Sequence, residues 1–77
     1  MEVKELETVF EAAKRNGHAV GVEVTIPGQS DTEFIVNRHQ SISNKLAYYK
    51  KTYDDQLVHR NCAAIKIVNV FEIAREI

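Results

Sequence analysis

The chain reads as a two-layer α+β domain of order α-β-β-α-β. A three-stranded, mainly antiparallel sheet in the order 2-1-3 is expected, with two helices packed on one face. Three observations predict it. Residues 2–16 and 40–55 place apolar side chains at helical spacing. Residues 18–26, 32–37 and 63–70 alternate at period two. Each helix carries a single apolar stripe, so one sheet face suffices to bury both.

In the first helix, residues 2–16, Val3, Leu6, Phe10 and Ala13 form the stripe, with Val9 beside it. Glu2, Glu5 and Glu7 crowd its start, and Lys14 and Arg15 its end, as the helix dipole favours. Asn16-Gly17 supplies the stop, with Gly17 suited to a left-handed cap. In the first strand, residues 18–26, His18, Val20, Val22, Val24 and Ile26 alternate with small or polar residues. Pro27-Gly28 breaks it, and a short loop leads to the second strand, residues 32–37. There Phe34 and Val36 are expected to face inward, and Glu33, Ile35 and Asn37 outward.

The second helix, residues 40–55, aligns Ile42, Leu46, Tyr49 and Tyr53 on one face, with Ser41 or Ser43 as N-cap. Asp54 and Asp55 oppose the dipole and should end it. Residues 56–61 form a polar connector in which Leu57 and Val58 suggest a further helical turn. The third strand spans residues 63–70, and a short terminal helix is favoured over residues 71–77, because Val70, Ile73, Ala74 and Ile77 have helical spacing. The helical crossover should set the second and third strands parallel, each antiparallel to the first. The face without helices would carry Gly21, Glu23, Thr25, Ile35, Lys66, Val68 and Val70, with Glu23 and Lys66 placed to pair.

At 77 residues the chain makes one domain, residues 1–77, with a thin core. Ten basic and eleven acidic residues give a formal charge of -1, which removes the usual electrostatic argument for nucleic acid. The single cysteine, Cys62, has no internal partner, which fits a reducing compartment. The N-terminal residues are acidic and amphipathic rather than signal-like, and no run reaches the roughly 18–20 apolar residues of a membrane span. A cytoplasmic protein with no membrane partner is expected.

Candidate chemistry is sparse. His59 and Cys62 have H-x-x-C spacing, but two ligands do not make a zinc site, and His18 and His39 lie at distant points of the chain. A Cys62–His59 nucleophilic pair would need an orienting group that the sequence does not identify. Asp54-Asp55 implies no acid–base role without a cleft. No metal, cofactor or enzymatic activity is therefore expected. Two surfaces remain. Ile35, Val68 and Val70 on the open sheet face form a candidate apolar interface for a second copy of the chain or another protein, with the edge of the second or third strand as the alternative place of contact. Lys45, Tyr48, Lys50 and Lys51 on the second helix form a basic-aromatic candidate for nucleic acid, because tyrosine stacks on bases and lysine neutralises phosphate. The element order invites comparison with the K-homology RNA-binding fold. That fold's GXXG loop would fall on Asp54-Asp55-Gln56-Leu57, which contains no glycine.

E-V-T-I-P-G from Glu23 and E-F-I-V-N from Glu33, then K-L-A-Y-Y-K-K-T-Y-D from Lys45 and I-K-I-V from Ile65, resemble short phage- and prophage-encoded proteins of low-GC Gram-positive bacteria. The resemblance covers residues 23–68. It implies an accessory protein of a mobile element that binds a host or phage protein. It carries over no functional residues.

Overall fold

A computed structural model describes residues 1–74. It is an α+β structure with two helices and a four-stranded antiparallel sheet. Helix α1 is Val3–Asn16, and its inward stripe is Leu6, Phe10 and Ala13, as the spacing predicts. Its start is closed by a capping box: Glu2 accepts from the Glu5 backbone, and Glu5 accepts from the Glu2 backbone. The Val3 N–H, otherwise unsatisfied, donates to the Asp55 carbonyl at 2.9 Å. At the far end Gly17 takes the left-handed conformation (φ 73°) and returns its N–H to the Ala13 carbonyl.

Strands β1 (Ala19–Thr25) and β2 (Thr32–Asn37) form the expected hairpin. Helix α2 is Ile42–Thr52, preceded by a 3-10 turn at His39–Ser41. Ser41 occupies its N-cap position without a side-chain cap bond. The helix stops two residues before Asp54, but Tyr53 still reaches the core with Ile42 and Tyr49. Strand β3 (Val58–His59) and strand β4 (Cys62–Ile73) complete the sheet in the order β2-β1-β4-β3. The inner order matches the expected 2-1-3, with β4 as the expected third strand. The addition is β3, a short strand at the edge.

That addition corrects the reading of residues 56–61 as a helical turn. Asp54 Oδ1 accepts from the backbone N–H of Gln56 (2.9 Å) and Val58 (3.0 Å), which closes a tight turn. Within it Leu57 adopts φ 61°, and its side chain is fully buried. Its backbone carbonyl accepts from Ile67 N–H at 2.9 Å. The leucine does bury, but through a left-handed turn rather than a helix.

Two further corrections concern which way side chains face. In β2, residues 34–36 are all apolar, so alternation does not choose a side. The hairpin register chooses it: Val20, Val22 and Val24 lie opposite Asn37, Ile35 and Glu33. Ile35 therefore packs against the core, while Phe34 and Val36 face away from the helices. In β4, the pairings Glu23↔Asn69 and Val24↔Ile67 leave Val68 as an extra residue in a bulge. The bulge shifts the alternation by one, so Val70 lies opposite Val22 in the core and Phe71 lies opposite Gly21 on the open face. Glu23 consequently faces Asn69 and accepts from the Thr32 hydroxyl, while Lys66 faces Val58. The expected Glu23–Lys66 pair does not form.

Residues 71–73 continue β4 and are not helical. Their backbone completes the ladder to Ala19–Gly21. Glu72 is held by Asn16 Nδ2 (3.1 Å) and lies 2.8 Å from His18 Nδ1, which ties the strand end to the end of α1. The bond from Asn16, and then that from His18, hold its carboxyl below the usual range. The remainder of the terminal helix expected over residues 71–77, residues 75–77, lies outside the described residues.

Asn37, expected outside, is buried. Its side-chain nitrogen donates to the Val20 carbonyl (3.2 Å), and its oxygen accepts from the Tyr49 hydroxyl (3.1 Å). Such a paired group is tolerated in a core, whereas an unpaired one costs about 1–3 kcal/mol. Burial pushes the Tyr49 phenol above its ordinary value, against the lowering effect of Asn37, and burial also raises Tyr53. A raised folded value means that folding favours the neutral phenol. That contribution is complete below the unfolded value of about 10 and is lost as pH rises through the folded value. Urea denaturation between neutral and strongly alkaline pH should therefore show stability falling above about pH 10. Tyr49→Phe should be less stable at neutral pH but lose less on the alkaline limb. Parallel pH profiles for the two proteins would contradict this assignment.

Candidate protein-interaction surface

The helix-free face of the sheet is organised around Gly21. A β-carbon there would lie 2.7 Å from Phe34 Cζ and 2.9 Å from Phe71 Cζ, so the missing side chain makes room for both rings. Phe34 reaches over from β2 and Phe71 from β4. They stack with centroids 5.2 Å apart and planes at 27°. Such a pair contributes about 0.5–1.5 kcal/mol beyond the area it covers.

The stack is not a closed core. Phe34 is 50% exposed, Phe71 36%, and Val36, next along β2, 55%. Val68, in the bulge, is 43% exposed. Large apolar side chains scattered singly on a surface need no explanation, but contiguous ones mark contact surfaces. Toward one end of the sheet the patch runs into a shallow groove, where Ala19, Val36 and Ile73 meet Arg38, His39 and Gln40. His39 Nε2 there lies 3.1 Å from the Lys14 carbonyl, which fixes the ring at the groove's edge.

Of the interface residues expected from sequence, Val68 is exposed, whereas Ile35 and Val70 belong to the helix-facing side. Sequence reasoning missed Phe34, Val36 and Phe71. A signal for the first and last was available: an isolated glycine within a strand often marks close approach by a neighbouring group.

The basic-aromatic candidate on α2 is divided by the structure. Lys50 pairs with Glu7 of α1, an exposed contact contributing less than about 1 kcal/mol. Lys45 places its ammonium 5.4 Å from the Tyr48 ring centroid, and Tyr48 is 52% exposed. Lys51 is exposed near the end of α2, where the Arg60 side chain donates to the Lys51 carbonyl at 3.0 Å. Tyr48 and Lys51 are therefore exposed, with Lys45 half-buried against the Tyr48 ring, and Lys50 points to a different neighbour.

His59 and Cys62 face each other across the two-residue turn joining β3 to β4. His59 Nδ1 accepts from the Asn61 N–H at 3.1 Å, so the ring is used in closing that turn. Among the described residues, no group of three or more His, Cys, Asp or Glu side chains is placed to hold a metal ion. Among the same residues, no helix is long and apolar enough to cross a membrane. No protein family, curated protein or solved structure matches the chain.

Proposed function

We propose that this chain is a non-enzymatic protein-interaction module that self-associates through the open side of its sheet. The observation that carries this reading is the stacked Phe34–Phe71 pair, seated over Gly21 and left half-exposed with Val36 beside it. An apolar surface of this kind is suited to binding, and the rims of such contacts are commonly polar, as Arg38, His39 and Gln40 are here. A small domain also gains from association, since its own core buries limited area. The resemblance of residues 23–68 to phage and prophage proteins supports the role of a cytoplasmic accessory protein of a mobile element, with a host or phage protein as the further partner.

NMR spectra recorded over a dilution series test the surface. The resonances of Phe34, Val36 and Phe71 should shift with concentration, and those of Lys45, Tyr48 and Lys51 should not. Invariant spectra at all concentrations overturn self-association. Shifts confined to Lys45, Tyr48 and Lys51 on addition of an oligonucleotide, reversed by salt, would transfer the assignment to the alternative nucleic-acid-binding reading.

A further inference from the structure

At one end of the open face the strands leave a trough. Its floor is made of small residues, Gly17 and Ala19, and its walls are Val36 of β2 and Ile73 of β4. The register explains the shape. Ala19 lies opposite Ile73, and side chains two residues apart share a face, so both stand on the same side as Gly21, Val36 and Phe71. A methyl group between two branched side chains leaves a channel. At Gly21, the next small residue on this face of β1, the Phe34 and Phe71 rings close it. The cavity measures about 890 Å3, within the roughly 300–1,000 Å3 of small-molecule sites.

We propose that this trough binds a carboxylate carrying a short alkyl chain, with the carboxylate on Arg38 and the chain over Ala19, between Val36 and Ile73. The proposal does not depend on the association argued above. Charge selects the head group. The protein has a formal charge of -1, yet Arg38, His39 and Gln40 form the rim, and among the described residues no acid lines the trough. The acids on the adjoining strands are engaged elsewhere. Glu72 lies opposite Val20 on the helix side, where Asn16 holds it 2.8 Å from His18. Glu23 accepts from the Thr32 hydroxyl, beyond the two rings. Among the described residues the exposed Arg38 guanidinium has no ion-pair or hydrogen-bond partner. Its two parallel N–H groups match the two oxygens of a carboxylate. His39 is used differently. Its Nε2 lies 3.1 Å from the Lys14 carbonyl, which can only accept, so Nε2 carries the hydrogen and the ring braces the residue beside Arg38.

Octanoate, octanol and acetate, titrated into isotope-labelled protein and followed by NMR, test the site. The protein is kept at the lowest concentration of the dilution series, so that self-association does not enter the result. Octanoate should shift the amides of Ala19, Val36, Arg38 and Ile73 saturably. Octanol and acetate should each bind at least about tenfold more weakly, since each lacks one half of what is recognised. Arg38→Gln should bring octanoate down to the affinity of octanol and leave octanol unchanged. Ala19→Leu, which fills the floor, should abolish both, with circular dichroism to confirm folding. If Ala19→Leu unfolds, Arg38→Gln alone decides. Equal affinities for octanoate and octanol, or an Arg38→Gln variant that binds octanoate as the wild type does, overturn the carboxylate site. Absent or unsaturable shifts overturn the trough as a binding site. Nuclear Overhauser contacts from residues 75–77 to Ala19 and Val36 in the ligand-free protein would give the trough to the chain itself and overturn the proposal as well.

Discussion

Replacing Leu57 with alanine is expected to cost about 2–5 kcal/mol, in a domain whose total stability should be roughly 4–12 kcal/mol at ~0.05–0.15 kcal/mol per residue. The side chain is fully buried and belongs to the hydrophobic core. Its backbone adds a second, separable effect. At φ 61° any residue with a β-carbon is strained, by about 1–2 kcal/mol for the left-handed region. Leu57→Ala loses the burial and keeps the strain, whereas Leu57→Gly loses the burial and relieves it. Glycine at this position should therefore be the more stable of the two variants by about 1 kcal/mol, opposite to the order found inside helices and strands. Chemical denaturation of both measures the difference. An alanine variant more stable than the glycine variant would contradict the turn described for residues 54–58.

Phe34→Asp should weaken self-association by at least about tenfold without unfolding the protein. The ring is half-exposed and stands on the helix-free face, so the core of Leu6, Phe10, Val20, Val22 and Tyr49 is untouched. What is lost is the stack with Phe71 and the apolar surface it supports. A substitution in a two-fold interface acts twice, once in each copy, and burying a carboxylate in an apolar contact adds to the loss. Analytical ultracentrifugation of the variant beside the wild type gives the ratio directly. Equal dissociation constants would remove Phe34 from the interface.

Much of the frame was legible in the sequence, because strong local signals agreed with one another. The α1 stripe, its acidic start and its Gly17 cap all point to the same helix. The Val20–Val22–Val24 alternation in β1 is equally plain. What was not legible was parity. Three consecutive apolar residues in β2 left either face available, and only the hairpin register turned Ile35 in and Phe34 out. In β4 a one-residue bulge at Val68 reversed the alternation, moving Val70 into the core and Phe71 to the surface. Both errors move side chains across the sheet, so they fell on the candidate interface while leaving the strand order nearly intact. Leu57 shows the same limit in another form: its burial could be anticipated, but not the left-handed turn stabilised by Asp54 that achieves it.

The central claim is that the exposed apolar side of this sheet is an association surface. Light scattering across a concentration series tests it most directly. The account predicts a mass rising from 8.8 kDa toward twice that value as concentration increases, with Phe34→Asp held at the lower value over the same range. A wild-type protein that remains at 8.8 kDa at every concentration would contradict it.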